Sequence, residues 1–380
     1  MKKFISILLL IATLLSCFMI ACDKVSLPED DDLDNEPEIE EELPEEPEPE
    51  HPNEYVCIRG AEDVVYEKFS EGGISYLKFG MYPTSKVTDS SVLGGLGVFA
   101  GELPTATDSN GWTSQELPNE YGVNVKDKPD WSFFKDVKYE GKYYRAMYFT
   151  ELRWYNPGSV TIAGQGMWGT VQNKRGYYAE TVYWFEYEPI VWEVMSDWGG
   201  EMYLISKNII DSNYWSYNGV KIANNYENST IRTFLNDTFL YYAFTKAERE
   251  LIFTNPWSNN SESTRDEGNK NACEDTFDKI AIPSMAELSN PALGFEDNMA
   301  TPGKFGSDPA RRRTCTNFAE CQGLYIADSN NIAVANYWTR SPGQNPRTVL
   351  YVGGKEGVTD NTQIASCLMG VMPTMYVKSK

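Results

Sequence analysis

The stretch that decides the fold class runs Tyr183-Trp184-Phe185-Glu186-Tyr187, then Ile190-Val191-Trp192-Glu193-Val194-Met195. After Asp197-Trp198-Gly199-Gly200 comes Met202-Tyr203-Leu204-Ile205-Ser206. Aromatic and β-branched residues dominate its runs, and these pack best on a pleated, half-buried surface. The paired glycines supply the positive φ angles that a tight antiparallel turn requires. The reading is two short strands, the second of which forms a hairpin with a third.

Working outward, strands come first. Tyr76-Leu77-Lys78-Phe79 and Tyr143-Tyr144-Arg145-Ala146-Met147-Tyr148 have the same character. The period then changes. Ile231, Phe234, Leu235, Thr238 and Phe239 fall on one face of a helix, with Ser229 or Thr230 as its N-cap. Thr245 with Glu248, and Ser284 with Glu287, have the spacing of capping boxes that open two further helices. Strands return at 337–340, 348–352 and 370–377. Strands, then helices, then strands make an α+β chain: a single compact domain over 55–380 of short, mostly antiparallel strands with a few helices. No repeat of 20–50 residues is present. Two stretches, about 96–140 and about 255–276, read as long loops.

The ends of the chain differ in kind. Lys2 and Lys3 precede an apolar run from Phe4 to Ala21, which reads as a signal peptide over 1–21. The run closes on Met19-Ile20-Ala21-Cys22, which resembles the bacterial lipoprotein signal, whose cysteine is lipidated and becomes the mature N-terminus. Cys22 is the preferred lipidation site because polar sequence starts at Asp23; Cys17, after Leu14-Leu15-Ser16, is the alternative. Residues 23–54 hold sixteen acidic residues and one basic residue, a net of −15, with no aromatic. Such a segment buries too little apolar surface to offset its chain entropy. Residues 22–54 therefore read as a lipidated cysteine and an acidic, Pro-rich disordered spacer. Fully extended, the spacer reaches roughly 100 Å.

Charge and composition exclude several classes. The whole chain has a net charge of −22, and residues 55–380 carry −9 of it. No basic surface for nucleic acid is expected. The only histidine, His51, lies in the spacer. The domain thus has no Ser–His–Asp or Cys–His arrangement and no histidine metal ligand. No phosphate-cradling glycine motif is present, and no cofactor is expected. Five cysteines remain: Cys57, Cys273, Cys315, Cys321 and Cys367. An odd number leaves at least one outside any intrachain disulfide. Cys315 and Cys321 are the only close pair and the only weak metal candidates. If the segment between them is helical, its two ends point to separated faces. Arg311-Arg312-Arg313 reads as a solvated turn, with an anion clasp as the sharper alternative. Exposed tryptophan or tyrosine would suit a glycan platform.

Several stretches recur in one family in this order: Leu77-Lys78-Phe79-Gly80-Met81-Tyr82-Pro83, Tyr183 to Val194, Leu204-Ile205-Ser206, Ser229 to Asn236, Ala243 to Glu248 and Asp278-Lys279-Ile280. They continue with Ala310-Arg311-Arg312, Cys315-Thr316-Asn317-Phe318-Ala319, Trp338-Thr339-Arg340-Ser341-Pro342-Gly343 and Gly370-Val371-Met372-Pro373. The sequence resembles the DUF6273 domain, a bacterial domain of unknown function found in exported proteins, over about 70–378. The resemblance implies one α+β domain similar in architecture to C-type-lectin-like folds, including the formylglycine-generating enzymes. It implies no established activity. Met372 stands where the family pattern has Arg, so any ligand contact made by that Arg is lost here. Candidate binding residues are Trp338, Arg340, Arg232, Asp278, Arg311 and Arg312, and no catalytic residue stands out. The expectation is an exported protein, lipid-anchored at the bacterial membrane or cell surface. It would hold the membrane through its N-terminal lipid and present a binding domain to an extracellular glycan or protein. The alternative is an exported enzyme, either a carboxylate-dependent hydrolase or a copper/thiol oxidase using Cys315 and Cys321.

Overall fold

The computed structural model describes residues 57–105, 108–115, 132–150, 152, 172–216, 224–329, 332–363 and 368–380. Cys17, Cys22, the signal, the spacer and Cys367 lie outside them. The described chain is mostly β-sheet with a few short helices, an α+β arrangement. Among the described residues no helix is long and apolar enough to cross a membrane.

The spine is β6, Tyr183–Trp198. The two short strands expected here are one, running through Pro189. Along one edge β6 pairs with β2 (Ile74–Lys86), from Tyr76↔Glu193 to Lys86↔Phe185. Its other edge is shared. β5 (Lys142–Phe149) takes the N-terminal part up to Glu186. β7 (Glu201–Ser206) takes the part from Trp192 onward. Pro189 sits between the two partners, where its missing N–H costs no ladder bond on that edge. The β6–β7 turn is Gly199-Gly200, with φ of 65° and 88°, as the sequence predicts.

This first sheet continues from β5 through β4 (Ser132–Tyr139) to β3 (Thr113–Gln115), and from β7 through β20 (Thr374–Lys378) to β11 (Ile280–Ala281). β1 (Tyr66–Glu71) lies outside β2. Alternation along β5 buries both faces. Tyr144, Ala146 and Tyr148 join Leu96, Trp112, Phe133 and Trp184 beneath the helix Ser90–Ala100, while Met147 and Phe149 enter the main core.

Part of the expected 96–140 loop is thus a helix end, β3 and β4; residues 116–131 fall outside the described chain. Gly94, Gly95 and Gly97 hid the helix, because glycine disfavours helix interiors by about 1 kcal/mol each. Asp89 caps it, accepting from the amides of Ser91 and Val92.

The second sheet has the order β18-β17-β16-β19-β8. These strands are Thr359–Gln363, Thr348–Val352, Tyr337–Pro342, Met369–Val371 and Asp211–Asn213. The single strand expected over 370–377 divides at Met372-Pro373. Before the break β19 belongs to the second sheet, and after it β20 belongs to the first. Pro373 cannot donate to a ladder, but its carbonyl accepts from Ser206 N at 3.0 Å.

The helical face predicted from Ile231 spans Thr230–Thr233, a wider π turn at Phe234–Phe239 and Leu240–Ala243, with Ser229 as N-cap. Ile231, Leu235 and Phe239 are fully buried. The Thr245–Glu248 capping box forms on Lys246–Arg249. Ser284 and Glu287 exchange the same two bonds, but only a 3-10 turn, Glu287–Ser289, follows.

Glu248 has a second task. Its buried carboxylate also accepts from both terminal nitrogens of Arg59 and from Val65 N, so the segment before β1 is fastened to this helix. Arg59 further donates to the carbonyls of Ala243 and Asp63. Removing one partner of a buried pair leaves the other charge uncompensated, at about 3–5 kcal/mol. Glu248→Gln is expected to lower unfolding stability by about that amount in a urea titration; a midpoint unchanged from the parent would contradict this role.

Candidate functional site

The second sheet carries the concave surface of interest. Between β16 and β17 the chain turns through Gly343-Gln344-Asn345-Pro346-Arg347. A Cβ at Gly343 would lie 2.3 Å from Thr348 Oγ1 and 3.1 Å from Thr348 O, so any larger residue would have to displace Thr348. Three asparagine side chains fix the turn. Asn224 Nδ2 reaches the carbonyls of Gly343, Asn345 and Thr348 at 3.1, 3.0 and 2.9 Å. Asn269 donates to Pro342 O at 2.8 Å, and Asn271 to Gly343 O and Gln344 O at 2.8 and 2.9 Å. Gln344 Nε2 in turn donates to Asp266 Oδ2 at 2.9 Å.

Opposite stands the hairpin of β12 (Met299–Thr301) and β13 (Lys304–Phe305). Gly303 at its tip has φ of 71°, and its amide bonds Arg265 O. Turn, hairpin and the loop at 266–269 enclose a cleft of about 430 Å3. That lies within the range of about 300–1,000 Å3 of small-molecule sites. Its walls are amides, hydroxyls, Asp266, Lys304, Pro302, Pro342 and Leu350. Of the two long loops expected from the sequence, the 255–276 loop borders this cleft through Asp266 and Asn269, and among the described residues no aromatic lines it.

A second cleft, of about 440 Å3, lies where the segment Arg59–Val65 meets the β4–β5 hairpin. Much of its charge is already engaged. Arg59 pairs with Glu248, Lys142 with Glu186 at 2.7 Å, and Tyr143 donates to Asp63 at 2.5 Å. The first cleft is therefore the candidate site.

Most sequence-derived candidates lie beneath the surface and serve the loops. Trp338 is fully buried and donates to Asn213 O at 2.8 Å. Arg340 is buried against Glu287, at 2.6 and 2.9 Å, with its guanidinium 5.2 Å from the Trp257 ring centroid. It also donates to Ile282 O. Arg232 grips Asp278 through Nε at 2.8 and 3.0 Å. These pairs tie the 255–276 loop and the following strands to the core.

The arginine run is neither a solvated turn nor an anion clasp at Arg311, whose side chain is fully buried. Its five N–H groups meet the carbonyls of Gly357, Leu288, Glu296 and Gly306 and the Asn298 amide oxygen. Asp308 lies 3.6 Å away. Burial holds the Arg311 guanidinium below the usual arginine value. Arg313 bonds Ala310 O and Glu193. Arg312 is half-buried and does not line the cleft.

Cys315 precedes the helix Asn317–Cys321, whose N-cap is Thr316, so only one of the two cysteines is helical. Cys321 is fully buried in the main core with Cys315 packed against it. Burial pushes the Cys315 thiol up to about 12, which works against the thiolate that copper requires. Among the described residues no group of three or more His, Cys, Asp or Glu is placed to hold a metal.

Residues 199–379 match the model of a domain of unknown function, DUF6273. Over these residues the chain is similar to that family. The match starts at the β6–β7 turn, so the stretches at 77–83 and 183–194 that share the resemblance fall outside it. The candidate cleft lies wholly within the matched residues, and the second cleft lies wholly before them. No curated protein and no solved structure matches the chain.

The asparagines around the candidate cleft carried no sequence signal beyond their clustering at Asn224-Asn225 and Asn269-Lys270-Asn271. Their partners are carbonyls some 70 to 125 positions away.

The thiol at Cys315 gives a direct check. Since burial raises its pKa, the Cys315 thiol is almost wholly protonated at pH 8. Peptide mapping after iodoacetamide treatment at pH 8 should find Cys315 unmodified in the native protein and modified in urea. Rapid native labelling would contradict its placement.

Proposed function

We propose that the chain is an exported lipoprotein, anchored through Cys22 at the bacterial membrane or cell surface, which presents its DUF6273 domain as a binding module. The anchor reading is supported by the Lys-flanked apolar run ending at Ala21-Cys22 and by the acidic spacer that follows. The observation that carries the binding reading is the cleft at 266–269, 301–304 and 342–350, whose rim is held by asparagine side chains rather than left to move. A rim fixed in advance loses little conformational entropy on binding. The two larger sheets and the long side-chain-braced loops support a C-type-lectin-like architecture.

The binding reading is tested by screening the full chain against glycans and peptides. Ligand-dependent amide protection at 266–269 and 342–350 is the supporting result, and protection elsewhere or nowhere sinks the reading. For the anchor, Cys22→Ser should abolish incorporation of radiolabelled palmitate, whereas persistent labelling would move the site to Cys17.

A further inference from the structure

We propose that the DUF6273 cleft takes a neutral, hydroxyl-rich ligand, a glycan ring rather than an extended peptide. This rests on reading the domain as a binding module and adds the chemical class of its ligand.

The rim offers few free main-chain acceptors. A peptide bound in extended form is recognised mainly by main-chain hydrogen bonds. The carbonyls of Gly343, Asn345 and Thr348 already accept from Asn271, Thr348 N and Gly343 N respectively, and the two N–H groups of Asn224 are shared among all three. Pro342 O and Gln344 O each accept one, from Asn269 and Asn271. The turn therefore has little main-chain acceptor capacity left for a peptide.

Among the described residues, Asp266 and Lys304 are the charged ones lining the cleft, one of each sign, and Lys304 also pairs with Asp360 at 3.5 Å. Asp266 is nearly buried, its two oxygens accepting from Gln344 Nε2 at 2.9 Å and Gly268 N at 3.2 Å. The exposed Gln344 keeps its amide oxygen and a second N–H beside that carboxylate. A sugar hydroxyl both donates and accepts, and so matches an adjacent amide and carboxylate. Pro302, Pro342 and Leu350 give the C–H faces of a ring an apolar wall.

The test is calorimetry of the full chain with cellobiose and N,N′-diacetylchitobiose as neutral saccharides, an oligogalacturonate as an anionic one, and an uncharged hexapeptide. A neutral saccharide is expected to bind with a Kd that moves less than about twofold between about 50 and about 500 mM NaCl. Gln344→Ala is expected to weaken that binding roughly fivefold or more in a protein that still unfolds cooperatively. Should that variant fail to fold, Thr301→Val at the exposed hairpin gives the same reading. Saccharide binding untouched by a folded variant of either kind would place the ligand elsewhere and overturn the inference. Cleft binding of the hexapeptide or the oligogalacturonate alone would overturn the inference while keeping the binding-module reading. Silence from all four would remove both.

Discussion

A guanidinium sealed from water holds the loop-rich half of the molecule together. Arg311 spends all five N–H groups on four carbonyls and one side-chain amide drawn from segments around Leu288, Glu296–Asn298, Gly306 and Gly357. Those segments form no ladder that would satisfy these groups, and a buried carbonyl without a partner costs about 1–3 kcal/mol. Arg340 does the same for Ser258 and Ile282 while pairing with Glu287. Asn224, Asn269 and Asn271 extend the pattern to the cleft rim. Irregular backbone is ordered here by long-range side-chain donors.

The two sheets depend on each other through the end of the chain. β19 and β20 are adjacent in sequence but lie in different sheets, and the Met372-Pro373 break between them is buried. Met372 occupies core space, so the Arg of the family pattern would need a buried partner or a different path at this position. The first sheet is braced on one face by the main core and on the other by the small aromatic cluster under Ser90–Ala100. That division leaves the second sheet and its loops to carry the cleft.

Local chemistry was legible in the sequence wherever the decisive neighbours were close along the chain. The Gly199-Gly200 turn, the Ser229 cap and the Thr245–Glu248 box each involve residues within a few positions, and each formed. The continuous β6 was harder to see because Pro189 reads as a break, although the sheet places it between two partner strands. The arginines recurring in the family pattern were visible as residues, but their burial was not. Arg311 looks solvated in a run of three arginines, and only the approach of segments up to 46 positions away gives it acceptors. The cleft itself was foreshadowed only by a long loop at 255–276, since its asparagine clamp depends on contacts that no spacing rule encodes.

The most direct test of this account is hydrogen exchange by mass spectrometry on the full chain, comparing the parent with Arg311→Lys. Lysine keeps a positive charge but has three donors on one nitrogen and cannot span five acceptors. The account predicts that amides near Leu288, Glu296, Gly306 and Gly357 lose protection by about tenfold or more, while those of β2 and β6 keep theirs. Unchanged protection in the loops, or an equal loss across both sheets, would contradict the claim that buried side-chain donors order this half of the molecule.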